Sequence, residues 1–105
     1  MIINDEALLN EFRAKGHCEW CLRAIRKRGE LHANHIFTRG AGGGMRLDIR
    51  VNLVAMCWHC HSEYHEGRIK RKELLEIVAN REKTTVAEIV AEVYRLRRAP
   101  KGAKA

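Results

Sequence analysis

The amino-acid sequence predicts a small α+β fold built around a two-stranded ribbon and the helix that follows it. Three observations predict this fold. Cysteine pairs stand before and after a β-compatible segment, a glycine-rich stretch interrupts that segment, and apolar residues recur at helical spacing on both sides of it. We therefore expect one N-terminal helix and two C-terminal helices to flank the ribbon and its helix.

The N-terminal helix is predicted over residues 4–15. Apolar side chains recur there at helical spacing, and Asn4 and Asp5 are residue types that suit an N-cap and a first helical turn. Gly16 follows the last apolar residue and is expected to end the helix.

The ribbon and its helix come next. Residues 31–38 and 51–56 have a strand-like composition, and the glycines within residues 40–44 supply a flexible turn region between them. A helix is expected to open at His61, because no helix breaker follows before Gly67.

Two C-terminal helices are predicted from a pair of apolar stripes. One stripe lies within residues 74–78, and the other follows Thr85 and Glu88, which have capping-box spacing. We expect both apolar faces to cover the ribbon. Residues 1–98 would then form one domain with its core at about residues 17–67, followed by a basic tail, residues 99–105, that we expect to be disordered.

Composition restricts the function classes. The 105 residues suffice for one domain, and 46% of them are apolar and 31% charged, as in an ordinary soluble protein. The net charge of +7 favours nucleic acid as a partner, although an anionic membrane surface or a ribosomal contact would fit the charge alone. No apolar run approaches the ~20 residues that span a bilayer, and the N-terminus lacks a secretion-signal pattern, so we expect a cytoplasmic protein without membrane contact.

The cysteines form two Cys-x-x-Cys pairs, Cys18 with Cys21 and Cys57 with Cys60. Each pair can bind one edge of a tetrahedral zinc ion, and four thiolates leave no position open for water or substrate. We therefore predict a structural Zn²⁺ site that closes a 35-residue loop around the ribbon. A thioredoxin-like redox role would require a surrounding βαβ pattern that the sequence lacks.

Both tryptophans lie at the cysteine pairs. Trp20 lies within the first pair and Trp58 within the second. We expect both indoles to shield the metal, while stacking on nucleic-acid bases remains the alternative.

Histidines cluster between and after the cysteine pairs. His61 and His65 are four residues apart, so a helix places them on one face, where two imidazoles can bind one divalent ion. Two exposed helical histidines remain the alternative. Convergence with His35 on the first strand is expected because the zinc site would fix the start of this helix against the ribbon.

The combined pattern resembles the HNH endonuclease family, also called the ββα-metal nucleases. The matching motifs, over about residues 17–67, are Cys18-x-x-Cys21, His32-Ala-Asn-His35-Ile, Asn52-Leu and Cys57-x-x-Cys60-His61-x-x-x-His65. The spacing from Asn52 to His61 to His65 is also similar to that in the nuclease domains of colicins. The resemblance implies a metal-dependent endonuclease that hydrolyses the phosphodiester bonds of DNA.

The resemblance also implies a role for each matching side chain. His35 would be the general base that activates a water molecule, and an imidazole suits this role because it titrates near neutral pH. Asn52 would tie down the loop between the strands and help to orient His35. His61 and His65 would hold the catalytic metal, with Asn34 as a neutral oxygen ligand at a position where the family usually has Asp or His.

The motif leaves the role of His32 and the identity of the metal open. His32 is either a further ligand or, as we favour, a residue packed behind the ligands. Imidazole-rich ligands accept Ni²⁺ or Zn²⁺ as well as Mn²⁺ or Mg²⁺, and we expect Mn²⁺ or Mg²⁺.

Basic residues outside the motif are expected to contact DNA phosphates, which would make binding salt-dependent with little sequence preference. They are Arg23, Arg26, Lys27, Arg28, Arg39, Arg68, Lys70 and Arg71. With a single active site, we expect a monomer that nicks one strand per visit.

Two other functions remain alternatives to this nuclease. A non-catalytic, zinc-stapled nucleic-acid-binding module would need only the cysteines and the charge, and would make the placement of the histidines a coincidence. A colicin-like toxin would use the same site, although a small phage-borne nuclease fits a stand-alone domain better.

Overall fold

A computed structural model describes residues 2–27, 29–38 and 46–97. The elements in chain order are β1 (Ile2–Ile3), α1 (Glu6–Arg13), β2 (Leu31–His35), β3 (Arg46–Leu47), β4 (Leu53–Cys57), α2 (Trp58–His65), α3 (Arg71–Glu82) and α4 (Val86–Arg97). A one-turn 3-10 helix, Arg50–Asn52, leads from β3 into β4. The order of ribbon and helix, with one helix before them and two after, confirms the predicted α+β fold.

The ribbon is the antiparallel pair β2–β4, in a register that places Leu31 opposite Cys57 and His35 opposite Leu53. β2 ends at His35, three residues before the predicted end at residue 38. All five residues of β4 are buried, since α1, α2 and α3 all pack against this strand. β4 is therefore the central strand of the core, and β2 lies at its side.

The outer edge of β4 is covered by Glu19 from the first cysteine pair. The Glu19 backbone N–H donates to the Ala55 carbonyl at 2.8 Å, and the Ala55 N–H donates to the Glu19 carboxylate at 2.6 Å. Arg81 of α3 donates to both oxygens of the same carboxylate at 3.0 Å, and its guanidinium lies 4.8 Å from the centre of the Phe12 ring. This partly buried ion pair ties α3 to the cysteine pair.

The N-terminal segment forms a strand pairing that the sequence does not predict. β1 runs parallel to β3, with Ile2 opposite Arg46. Asp5 then caps α1 as expected, because its carboxylate accepts the Leu8 N–H at 3.0 Å. The helix ends at Arg13, before Gly16, so it is shorter than predicted at both ends.

The second cysteine pair and α2 are continuous. Cys57 has an extended backbone (φ −68°, ψ 164°), and α2 begins at Trp58, three residues before the predicted start at His61. Cys60 therefore lies in the first turn of the helix. The zinc motif thus becomes the corner at which β4 turns into α2.

The C-terminal helices cover the core as expected. Leu74, Val78 and Ile89 belong to the main apolar cluster. The Thr85 hydroxyl accepts the Glu88 N–H at 3.1 Å, which confirms the predicted cap of α4.

Several predicted features lie outside the described residues. These are the glycines within residues 40–44, the basic residues Arg28 and Arg39, and the tail, residues 99–105. A single domain over residues 1–98 stays a prediction. Within the described ranges, the longest helices are too short and too polar to cross a bilayer.

Candidate metal and catalytic site

The four cysteine sulfurs meet at one point, all within 4.8 Å of one another. The Sγ atoms of Cys21 and Cys57 are 4.0 Å apart. Sulfurs that ligate one tetrahedral zinc ion, at a Zn–S distance of about 2.3 Å, are about 3.8 Å apart. Cys18, Cys57 and Cys60 are buried, Cys21 is exposed, and none of the four forms a disulfide. The cluster therefore fits a closed, four-sulfur zinc site.

Local backbone hydrogen bonds shape the first cysteine pair. The Cys18 N–H donates to the Arg23 carbonyl at 3.0 Å, and the Leu22 N–H donates to the Cys18 carbonyl at 2.9 Å. Leu22 has a left-handed backbone (φ 66°), which turns the chain back on itself directly after Cys21. This tight turn brings Cys18 and Cys21 to the same side.

The four sulfurs do not all ionise readily unless a cation is bound. Burial acts to raise the pKa of Cys18, but the backbone N–H groups of Cys21, Cys57 and Trp20 outweigh it and lower this pKa to about 7. Burial, together with the neighbouring thiols, raises the pKa of Cys60. Four adjacent thiolates repel one another, and a divalent ion removes that repulsion.

A second polar group lies where β2 faces α2, and we call its members the histidine face: His32, Asn34, His61 and His65. His32 and Asn34 are two residues apart on β2, so their side chains leave the same side of the strand. The His32 ring is stacked on the His61 ring at 5.1 Å between centroids, and the His61 and His65 rings are 4.5 Å apart. The structure thus brings His32 against a predicted ligand.

Three polar atoms of the histidine face lack a partner. Within the described ranges, the buried side-chain atoms without a hydrogen bond are Oδ1 and Nδ2 of Asn34 and Nδ1 of His61. Asn34 is only 1% exposed. Since buried polar groups are nearly always hydrogen-bonded, these atoms are available to a water molecule or an ion.

The spacing of the His61 and His65 rings fits one shared ion. Two imidazoles bound at about 2.1 Å with a right or slightly wider angle have centroids about 4.5–5.3 Å apart. The His61 and His65 rings, 4.5 Å apart, fit this range, whereas the His32 ring lies nearly parallel on His61 and cannot direct a nitrogen lone pair to the same ion. Among the described residues, however, only the cysteines bring three or more Cys, His or carboxylate ligand atoms within 4.8 Å. The amide oxygen of Asn34 and water would have to complete the coordination of such an ion.

Burial also prepares His61 to act as a ligand. Desolvation, followed by the nearby His65 and His32, lowers the pKa of His61. A lower pKa keeps the imidazole neutral, and the neutral form is the one that binds metals.

His35 lies at the end of β2 and is held by a carboxylate that the sequence does not single out. The His35 Nε2 is 2.7 Å from Oδ1 of Asp48, which is buried. Asp48 also accepts the Asp5 N–H at 2.8 Å and two Arg46 guanidinium bonds at 3.2 Å. Burial acts to raise the pKa of Asp48, but Arg46, the Asp5 N–H and His35 outweigh it and lower this pKa.

These contacts fix the tautomer of His35. An ionised Asp48 can only accept hydrogen bonds, so Nε2 of His35 must donate. In the neutral imidazole Nδ1 then has the free lone pair and can accept a proton from water. One sequence signal could have identified Asp48, because it is a lone carboxylate between the apolar residues Leu47 and Ile49.

Asn52 makes a set of hydrogen bonds that we call the loop anchor. Its Oδ1 accepts the Phe37 N–H at 2.7 Å, and its Nδ2 donates to the carbonyls of Phe37 at 3.2 Å and Leu47 at 3.0 Å. The Asn52 side chain thus joins the segment after β2 to β3. Because Asp48 follows Leu47, the loop anchor also fixes the carboxylate that holds His35.

The basic residues expected at DNA lie in two groups. Arg23, Arg26 and Lys27 are exposed between the first cysteine pair and β2, and Arg68, Lys70 and Arg71 are exposed between α2 and α3. Arg68 is already paired with Glu63 and Glu66, and the Arg71 guanidinium lies 4.7 Å from the centre of the Phe37 ring. The first group therefore offers the less encumbered positive charge.

The expectation that both tryptophans shield the metal is wrong for Trp58. Trp20 packs against the core, whereas Trp58 is 67% exposed. As the first residue of α2, Trp58 points away from the apolar cluster that the helix covers.

Comparison with models of protein families gives a match. Residues 18–67 match the family model of the HNH endonuclease. No curated protein and no solved structure matches the chain. The matched range begins at Cys18 and extends past His65, so it includes both cysteine pairs, the histidine face, His35 and the loop anchor. Over residues 18–67 the chain is therefore similar to the HNH endonuclease family.

Proposed function

We propose that this protein is a divalent-metal-dependent endonuclease that hydrolyses DNA phosphodiester bonds and nicks one strand at a time as a monomer. The observation that supports this best is the contact between His35 and the buried Asp48, 2.7 Å apart. It leaves a neutral imidazole nitrogen with a free lone pair at the end of β2, one residue after Asn34 in the chain.

His35 acts as the general base. Its Nδ1 takes a proton from a water molecule as the water oxygen attacks phosphorus. The bond from phosphorus to the 3′ oxygen breaks, which leaves a 5′ phosphate and, after protonation, a 3′ hydroxyl. Asp48 stabilises the imidazolium that forms, because its carboxylate already accepts the proton on Nε2.

The histidine face binds the catalytic metal. Oδ1 of Asn34 and the imidazoles of His61 and His65 hold a divalent ion, Mn²⁺ or Mg²⁺, with Ni²⁺ or Zn²⁺ also accepted by these ligands. When bound there, such an ion would supply positive charge for the scissile phosphate and the leaving oxygen. The unpartnered atoms of Asn34 and His61 support this assignment.

The cysteine cluster holds Zn²⁺ and has a structural role. It fixes the corner between β4 and α2, and thereby the position of His61 and His65 against β2. Four free thiols remain available to a metal in a reducing compartment, so we place the protein in the cytoplasm.

DNA binds mainly through its phosphates. Arg23, Arg26 and Lys27 form one exposed group of contacts, and Lys70 and Arg71 contribute a second. Binding of this kind weakens steeply with salt, because each neutralised phosphate releases counterions.

A supercoiled-plasmid assay tests the function. Zinc-loaded protein is assayed with added Mg²⁺, Mn²⁺, Ni²⁺ or further Zn²⁺, beside His35→Ala and His17→Ala, which replaces an exposed histidine outside the histidine face. We expect a metal-dependent nicked product from the parent and from His17→Ala, and a loss of at least about 100-fold in His35→Ala. Absence of cleavage with every metal, from a folded protein that still binds DNA, would favour the non-catalytic binding module.

A further inference from the structure

Trp58 is the most exposed of the Phe, Tyr and Trp side chains in the described part of the chain. A single exposed apolar residue is ordinary on a protein surface, so its surroundings decide its meaning. Leu22, at 71% exposure, is the other large apolar side chain this open. Leu22 follows Cys21 and Trp58 follows Cys57, and the sulfurs of these cysteines are 4.0 Å apart. The two exposed apolar side chains therefore lie at the same end of the molecule.

Trp58 lines an open groove of about 450 Å³. The other lining residues are Arg23, Gly29, Glu30, His32 and His59. His32 is also a member of the histidine face, where its ring stacks on His61. The groove therefore shares His32 with the site proposed to bind the scissile phosphate.

The chemistry of the groove matches a nucleotide. Trp58 offers a flat, exposed indole for stacking, and Arg23 offers a cation for a phosphate. In a regular duplex each base is stacked between its neighbours, so its face cannot meet an indole. An unpaired base can, and stacking of this kind contributes about 1–3 kcal/mol per base.

We propose that this groove, with Trp58 as its stacking platform, binds an unpaired DNA base next to the phosphate at the histidine face. The protein then prefers single-stranded or locally unpaired DNA to regular duplex. This inference rests on the proposed function for the choice of DNA as ligand.

Binding experiments in the His35→Ala background test the preference without cleavage. The zinc-loaded protein is titrated into a labelled single strand and into a blunt duplex of the same sequence, and fluorescence anisotropy is recorded. Trp58→Ala should weaken single-strand binding about 5- to 100-fold and duplex binding less than about twofold, and Trp58→Phe should restore most of the difference. The matched control is Tyr94→Ala, because Tyr94 is a half-exposed aromatic on α4 outside the groove lining.

Tryptophan fluorescence gives a second measurement. The single strand should quench the emission of the protein, and Trp58→Phe, which retains Trp20, should lose that quenching. Equal effects of Trp58→Ala on both DNA forms, or no effect on either, would overturn the inference.

The plasmid assay separates this inference from the proposed function. Cleavage by the parent, together with single-strand binding that does not depend on Trp58, would support the nuclease and overturn the stacking platform. Single-strand binding that depends on Trp58, without cleavage under any metal, would support the platform and refute the nuclease.

Discussion

The loop anchor and the histidine face each contain a buried asparagine, and the two asparagines are in opposite states. Asn52 is fully buried and uses both ends of its amide, with three hydrogen bonds to Phe37 and Leu47. Asn34 is just as buried, and neither end of its amide has a partner. The fold uses every part of the first amide, whereas the second has no partner among the described residues and is the one proposed to ligate the metal. The comparison shows that burial alone does not say whether the fold uses a polar side chain.

The largest effect should come from the cysteine cluster, on which both regions depend. Cys57→Ser, or removal of zinc by a chelator, should unfold the protein, because a structural zinc contributes on the order of 10 kcal/mol, comparable to the stability of a whole domain. Circular dichroism melting and zinc analysis measure this. If zinc-free Cys57→Ser melts cooperatively near the melting temperature of the parent, the cluster has no structural role.

Asn52→Ala should give the next largest effect. The change leaves the backbone groups of Phe37 and Leu47 without their partner, which we expect to cost about 3 kcal/mol. Urea unfolding measures the loss. The substitution should also displace Asp48 from His35, so cleavage should fall by more than the unfolded fraction explains. A loss below about 1 kcal/mol would contradict the contrast between the two asparagines.

Asp48, which the loop anchor positions, makes the stability of the fold depend on pH. Its pKa is lowered from the ordinary value of 3.8. A carboxyl with a lower pKa in the folded chain stabilises the fold above its unfolded pKa, and this stabilisation is lost as the pH falls through the folded pKa. Stability should therefore decline below about pH 4, and Asp48→Asn should make that decline shallower.

The control for the pH test is Glu92→Gln. The exposed Arg95 on the same helix lowers the pKa of Glu92, but solvent screens this pair, so its removal should leave the acid profile nearly unchanged. Identical acid profiles for Asp48→Asn and the parent would show that folding does not lower the pKa of Asp48.

Asn34→Ala should have the smallest effect on stability. The side chain makes no hydrogen bond, so we expect its loss to change the unfolding free energy by less than about 1 kcal/mol without added divalent ion. Calorimetric titration of Mn²⁺ into zinc-loaded protein should show weaker binding than in the parent. A loss as large as that of Asn52→Ala, with Mn²⁺ binding unchanged, would make Asn34 a second structural asparagine.

Local patterns in the sequence account for most of the fold. The Asp5 cap, the Thr85 cap and the two strands of the ribbon follow from residue types that act on their immediate neighbours. The pairing of β1 with β3 could not be predicted, because each strand has two residues and no periodicity. Tertiary structure alone brings these segments together.

In the candidate site too, the sequence predicts the features that depend on local patterns and misses those that depend on distant residues. The cysteine spacing specified a cluster that the structure forms, since each pair lies within one turn of chain. Asp48 escaped prediction because its partner, His35, is 13 residues away across a loop. The exposure of Trp58 also escaped, because the spacing of a motif does not say which side of a helix faces the core.

Glu19 has a further consequence for how copies of this chain meet one another. A two-stranded ribbon has two open edges, and an open edge invites another strand to pair with it. At Ala55 both outward backbone groups are already bonded to Glu19, whose carboxylate is held in turn by Arg81. An incoming strand would have to displace a partly buried ion pair before it gained its first hydrogen bond, so the first cysteine pair also protects the central strand from aggregation.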